Sequence, residues 1–396
     1  MSRDFDILIV GAGVAGSALA ASLVMRKAVL PERIALVADR FVSQPAPDIE
    51  LDLRVFAMSR GSQRLLTGLG VWQQLPRDRR NAYDRMCVWD ARDAPDSAAA
   101  LRFDCADIGE PDLGTIVEGR ALQWLTQEAA RRAGVTLIQA GVGSVSVSDA
   151  AATLTLNASR QLQAGLIVAA DGVDSALRTL LQIDVVGHSY HQQALVAHVR
   201  TALPHQRTAW QRFLPTGPLA LLPLGDGRSS IVWSVDSARA DTLMSLAPED
   251  FDTELTAASG EVLGRCSLST SRARFPLQFK VASQYVRPRF ALLGDAAHSV
   301  HPLAGQGLNL GLLDCAALAD LLSALRPAQF GDLRALRRYE RERKSENLLA
   351  ATAFDGLNRL FSNSHPLLTG LRSAGLGSVG RVPALRRFFA RNALGI

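Results

Sequence analysis

The residues best placed to do chemistry run Gly294-Asp295-Ala296-Ala297-His298 and continue through His301-Pro302-Leu303-Ala304-Gly305-Gln306-Gly307-Leu308-Asn309-Leu310-Gly311. A carboxylate at the end of an apolar strand needs hydrogen-bond donors, and a glycine-rich helix start offers free N–H groups to negative charge. Some 280 residues earlier stands a second signal, Gly11-Ala12-Gly13-Val14-Ala15-Gly16, directly after the apolar run Phe5 to Val10. Its spacing is that of a dinucleotide-binding turn. Gly11 allows the tight turn, Gly13 lets the backbone approach a pyrophosphate, and Gly16 lets helix and strand pack closely. The fingerprint alone says only dinucleotide. Both signals together point to one large cofactor, FAD, held from opposite ends of the chain.

These motifs need elements to position them. A strand over Phe5 to Val10 feeds a helix over Ser17 to Met25, whose N-terminus attracts an anion by roughly 0.3–2 kcal/mol. The next strand, Arg33 to Val37, should end at an acid for the adenosine ribose, a role assigned to Asp39. Asp295, His298 and His301 also resemble a metal-ligand set. Pro302 and the glycines break any helix there, and no other liganding cluster is evident, so the reading is against a metal. For Asp295, helix capping is the competing role.

Further along, Met86 to Trp89 and Ala100 to Phe103 read as short strands around a polar turn, Leu122 to Ala133 as helix, and Leu166 to Ala169 as a buried strand entering Asp171-Gly172. Residues 194–279 are dominated by strand patterns, and the chain after Leu310 by helix. The expected fold class is therefore α/β: a doubly wound parallel-sheet FAD-binding domain, an inserted antiparallel β-sheet substrate domain and a C-terminal helical segment. The expected boundaries are 1–182 and 285–330 for the split FAD-binding domain, with hairpin 85–104 joining the substrate sheet, 183–284 for the β-rich substrate domain, and 331–396 for the helical region with its basic tail.

Composition narrows the class. At 396 residues the chain can bury a large core. No run of about 18 apolar residues occurs, no signal-peptide pattern opens the chain, and the four cysteines are scattered without a Cys-x-x-Cys pair. The expectation is a cytoplasmic protein without a disulfide framework. From Gly356 to Ile396 there are six arginines and no acid, whereas the whole chain carries a net +5, so the basic character belongs to the tail. Val382 to Leu394 reads as an amphipathic helix that could contact an anionic membrane face, dock on a partner, or cover its own domain. Nucleic acid is not an expected partner, because no binding module or stacking-aromatic groove is present.

Over almost its whole length the chain resembles the FAD-dependent aromatic hydroxylases, and within them the ubiquinone-biosynthesis hydroxylases. The resemblance rests on the N-terminal fingerprint, Asp52-Leu53-Arg54, Asp171-Gly172, the Gly294 to Gly311 block and the ending Ala393-Leu394-Gly395-Ile396. It implies that Asp295 bonds the ribityl hydroxyls and that Gly305, Gln306, Gly307, Leu308 and Asn309 meet the flavin ring with backbone N–H groups. Arg54 would reach the pyrophosphate or flavin edge, Asp171 and Gly172 would bridge the FAD and nicotinamide-approach regions, and Arg120 would touch the cofactor. The chain departs from the subfamily at Gly119, where Asn is common.

The activity so implied is hydroxylation of a polyprenylated phenol through a flavin C4a-hydroperoxide, with O2 as co-substrate and NAD(P)H or another reductant as transient electron donor. The Pro302 carbonyl would accept the substrate hydroxyl, and Trp210, Phe213, Leu222, Trp233 and Phe279 are candidates for an apolar substrate pocket. Implied partners are the lipophilic phenol, a quinone-biosynthesis complex and, through the basic tail, the inner membrane face. Three alternatives stay open: a hydroxylase of a small soluble phenol or secondary metabolite, a flavin enzyme that does not hydroxylate, and a catalytically silent assembly subunit. The Trp-x-Trp-x-Ile-Pro segment of flavin halogenases is absent.

Overall fold

A computed structural model describes residues 3–46, 49–148, 151–157, 159–299 and 307–361, with side chains described through Leu349. Pro302, Gly305, Gln306, His301 and the basic tail beyond Phe361 lie outside the described residues. Among the described residues the strands form three sheets.

The first is an eight-stranded sheet built on five parallel strands. Its central strand, Phe5–Val10, pairs with Ile34–Ala38 on one side and Arg160–Ala169 on the other, and the latter pairs in turn with Phe290–Leu292. These strands are continuous apolar runs because they are buried on both faces, as parallel strands usually are. Val14–Met25 packs on the sheet and is flanked by Gly119–Arg132 and Gly307–Ser323. Ile7, Leu8, Leu19, Leu36 and Ile167 are fully sealed, each worth about 1.5–3 kcal/mol of burial. The helix Val14–Met25 starts one turn earlier than expected, because the Gly13 backbone already caps it.

The second sheet has nine strands and is mainly antiparallel. Val185–Thr201, Ser229–Asp236, Gly217–Pro223 and Thr208–Leu214 lie side by side, and Arg85–Asp90 with Leu101–Asp104 extends the sheet beyond Thr208–Leu214. One face packs under the helices Ser237–Ser245 and Pro248–Ser259 through Leu195, Leu219, Ile231, Trp233, Phe251 and Leu255. Those two helices lie inside a stretch that reads as strand from the sequence. Pro248 at the first helical turn, Glu249 and Asp250 beside it, and Gly260 at the left-handed C-cap account for the second one. The opposite sheet face turns toward the parallel sheet.

A third, three-stranded sheet of Val55–Met58, Arg80–Tyr83 and Gly114–Glu118 bridges the two. Nothing in the sequence patterning announces it, since the three strands are short and distant in the chain. The helix Leu333–Phe361 crosses the Gly307–Ser323 helix and buries Leu336 and Tyr339.

Candidate active site

A cavity of about 1350 Å³ lies between the carboxyl ends of the parallel strands and the open face of the antiparallel sheet. This is where α/β sheets bind ligands, and it is larger than the usual 300–1,000 Å³ small-molecule pocket. Gly11, Gly13, Gly172, Gly294 and Gly307 lie in its wall. Gly11 has φ +111°, and a Cβ there would sit 2.1 Å from the Ala170 carbonyl oxygen. A Cβ on Gly16 would meet the Gly11 carbonyl at the same distance, so Gly16 supports the turn from below rather than lining the cavity. Gly13 faces open space.

Two side chains from the Gly119–Arg132 helix brace this turn. Gln123 and Gln127, one helical turn apart, donate to the Ala12 carbonyl at 3.1 and 2.5 Å, and Gln127 also accepts from the Val42 N–H at 3.0 Å. The sequence reading missed both, although their i,i+4 spacing on one helix face is visible. Asp39, the expected ribose acid, does not reach the cavity. Ala38 is the last paired residue of its strand and Asp39 is exposed beside Gly141, while Arg40 to Ser43 form the wall.

Asp295 lines the far wall, between Gly294 and the helix start at Gly307 and Leu308. Its carboxylate accepts no hydrogen bond from a described residue, and burial, only partly offset by His298 and Arg54 nearby, raises its pKa above the usual carboxylate range. Asp171 is in a similar position. One of its oxygens accepts from the Leu177 N–H at 3.2 Å, and the other is buried without a partner among the described residues. The Asn309 side chain is buried away from the cavity, which leaves the expected ring contact of this residue to its backbone N–H. Its amide accepts from the Ser59 N–H at 2.9 Å and from the Ser62 hydroxyl at 2.8 Å, and donates to the Ala57 carbonyl at 2.8 Å. Being one helical step past Leu308, it projects to the other side of the helix.

Behind Asp295, His298 turns to the fully buried Asp314 at 2.5 Å. Arg343 and Asn347 donate to the other Asp314 oxygen at 2.8 and 3.0 Å, and the Gly294 N–H approaches at 3.3 Å. The paired charges and hydrogen bonds outweigh desolvation and hold the Asp314 pKa down at about 2.

A third wall is the segment from Asp52 to Ala57. The buried pair Arg79–Glu118, 3.2 Å apart, clamps it: Glu118 accepts from the Asp52 N–H at 3.0 Å and Arg79 donates to the Ile49 carbonyl at 2.7 Å. The Gly119 N–H donates to the Arg54 carbonyl at 2.8 Å, so a larger residue at Gly119 would press on that carbonyl. Arg54 lies over the Phe56 ring and, like Arg120, lines the cavity. From the antiparallel sheet, His198 donates through Nε2 to the Asp52 carbonyl at 3.1 Å, and burial pushes its pKa down.

The antiparallel sheet forms the floor. Leu222 and Trp210 reach it, whereas Phe213, Trp233 and Phe279 do not. Trp233 is opposite Leu219 and points with it under the two covering helices, because side chains alternate between faces. Phe213 is buried at the strand's far end, and Phe279 stacks on His188. The apolar wall is instead contributed by Tyr83, Met86, Val196, Ala220, Val232 and Phe275.

These features fit a large dinucleotide with a polyol linker. The Val14–Met25 helix has no side-chain cap and no acid in its first turn, and the first turn of Gly307–Ser323 has no acid either, so both starts can face negative charge. Asp295 and the orphaned oxygen of Asp171 ask for hydroxyl donors, and Gly13 leaves the clearance a pyrophosphate needs. A family described as FAD binding domain matches residues 4–350. The 3-demethoxyubiquinol 3-hydroxylase of Escherichia coli (strain K12) is 34% identical, with all of each chain covered. The mitochondrial ubiquinone biosynthesis monooxygenase COQ6 of Danio rerio is 34% identical over 96% of this chain and 88% of its own. In fold, the p-nitrophenol 4-monooxygenase PnpA from Pseudomonas putida DLL-E4 superposes with a TM-score of 0.79 at 18% identity, covering 100% and 99% of the two chains.

Proposed function

The chain belongs to the FAD-binding-domain family, and from that premise we propose that it is an FAD-dependent monooxygenase hydroxylating the aromatic ring of a polyprenylated phenol in ubiquinone biosynthesis. The overall reaction balances as ring C–H plus O2, NAD(P)H and a proton giving ring C–OH, NAD(P)+ and water. Bound FAD supplies the passage of two electrons from the reductant to O2 and the delivery of one oxygen atom to the ring.

The observation that carries this reading is the joining of two unlike regions in one cavity. One end has glycine turns, helix starts and unsatisfied carboxylates; the other has the apolar sheet floor. On the cofactor end, Asp295 and Asp171 would accept polyol hydroxyls. The N–H groups at Gly13–Val14 would meet the pyrophosphate, and those at Gly307–Leu308 would stabilise negative charge at the flavin edge. Arg54 and Arg120 add positive charge to the same wall. The antiparallel sheet positions the ring and keeps water from the reacting carbon.

We further propose a peripheral contact with the inner membrane face through the basic tail, and membership of a quinone-biosynthesis complex. The charge of the tail and the greasy substrate support both. No described helix is long and apolar enough to cross a membrane.

The test is mass spectrometry of quinone-pathway lipids in a deletion strain rescued by wild type or by Asp295→Ala. Accumulation of an under-hydroxylated prenylphenol, cleared only by wild type, is expected. Clearance by the mutant as well would indicate an assembly role, and an unchanged lipid profile would move the activity to a soluble phenol.

A further inference from the structure

The floor of the cavity is largely apolar, with polar groups at Gln211 and Ser234 and, among the described residues, unpartnered buried atoms at Gln278 Oε1 and Trp210 Nε1. Register places Gln211 opposite Ala220, Ala220 opposite Val232, and Val232 opposite Val196, so these four side chains form one row across four strands on the cavity face. In the next row Ser234 lies opposite Ala194, which lies opposite Phe275. Gln211 is 6% exposed and lines the cavity, yet its carboxamide bonds to no described residue. A carboxamide carries two donors and two acceptor sites, so leaving it unpaired in an apolar setting is costly. Ser234 is also buried and bonds to no described residue, but its single hydroxyl asks less of a ligand.

The rest of the row is small or branched and apolar. It spans three strand spacings, about 14 Å, between Gln211 and Val196. Phe275 closes the second row, is 47% exposed and still lines the cavity, which makes it the mouth. Along these two rows the floor runs from the Gln211 carboxamide, over Ala220, Val232 and Val196 and past the Ser234 hydroxyl, to Phe275 at the surface.

We propose that Gln211 anchors the oxygen substituent of the aromatic ring, and that the attached apolar chain lies over Ala220 and Val232 and leaves past Phe275. This deepens the substrate reading above and rests on it for the nature of the chain. An amphiphile with a hydroxyl at one end and a hydrocarbon tail matches the order of groups along the floor. Gln211 both donates and accepts, so it can hold a ring hydroxyl or a ring carbonyl.

The test uses the FAD-loaded enzyme and four probes: 2-farnesylphenol, farnesylbenzene, phenol and benzene, with binding read by tryptophan fluorescence quenching and calorimetry. Wild type should prefer 2-farnesylphenol over farnesylbenzene by about tenfold or more, as expected for one buried hydrogen bond. In Gln211→Leu the ratio should fall to near one while farnesylbenzene binds as before. Gln211→Met is the second variant should Leu fail to retain FAD. Phe275→Arg should cut the affinity gained from the farnesyl chain and leave the hydroxyl preference intact. Persistence of the hydroxyl preference in both Gln211 variants overturns the anchor, and an unchanged chain gain in Phe275→Arg overturns the exit. Should wild type bind phenol as tightly as 2-farnesylphenol, the prenylated-substrate reading fails, and the phenol-to-benzene ratio in Gln211→Leu still judges the anchor.

Discussion

The Asp314 carboxylate and the His298 imidazole meet at 2.5 Å with both side chains sealed from solvent, 16 residues apart in the chain, His298 just after the turn that carries Asp295 and Asp314 on the Gly307–Ser323 helix. Arg343, from the following long helix, completes the cluster. The pair thus ties three segments together directly behind the proposed cofactor contact.

Removing the carboxylate should be expensive. Asp314→Ala would leave Arg343 as a buried cation without its main partner and His298 without its acceptor. A loss of about 3–5 kcal/mol in urea unfolding is expected, the range for breaking a buried pair from one side. A loss under about 1 kcal/mol would show the cluster to be structurally idle.

Stability should fall on acidification in two stages. Burial holds the His198 and His205 pKa values below the usual 6.5, so on unfolding these groups take up protons that the folded protein refuses. Their contribution is complete above about pH 6.5 and declines below it. Asp314 has the opposite chemistry and the same direction: with its pKa down at about 2, its contribution is present above about pH 4 and is lost between there and pH 2. Denaturant midpoints measured from pH 8 to pH 3 should show both declines. His198→Gln should reduce the upper one, and an unchanged profile in that variant would rule out His198 as a source.

His198 also links the substrate sheet to the segment bearing Arg54, through a bond spanning 146 residues of sequence. A carbonyl can only accept, so Nε2 carries the proton. His198→Leu should weaken FAD binding about five- to tenfold in a flavin-fluorescence titration, the scale of one hydrogen bond. His198→Gln, which keeps a donor, should recover most of that loss. Equal affinities in the two variants would mean that the bond does not position the segment.

Two glycines in one motif should separate folding from binding. Gly16→Ala puts a methyl 2.1 Å from a backbone oxygen, so thermal unfolding of the cofactor-free protein should drop sharply. Gly13→Ala meets open space and has an ordinary φ of −70°, so the cofactor-free protein should unfold as wild type does while FAD affinity falls at least tenfold. Retention of wild-type FAD affinity in Gly13→Ala would place the pyrophosphate elsewhere.

The sequence by itself determined the features governed by short-range sterics. Gly11, Gly13 and Gly16 state their backbone requirements within six residues, and the apolar runs before Gly11 and Gly294 could only be buried strands. The pairing of these two motifs was enough to indicate one large cofactor. Tertiary structure alone decided what depends on register and long-range approach. Trp233 and Val232 are equally apolar in the chain, yet strand pairing sends one beneath the covering helices and the other to the cavity floor. Asp39 ends the expected strand, but where that strand stops pairing determines that its neighbours, not it, form the wall. Asp314 with His298, and His198 with Asp52, are pairs made by packing between elements, and no local pattern encodes which buried polar group will find which partner. Gln211 is the same case: its type is visible in the sequence, but only the folded sheet leaves its carboxamide unpaired at a cavity wall.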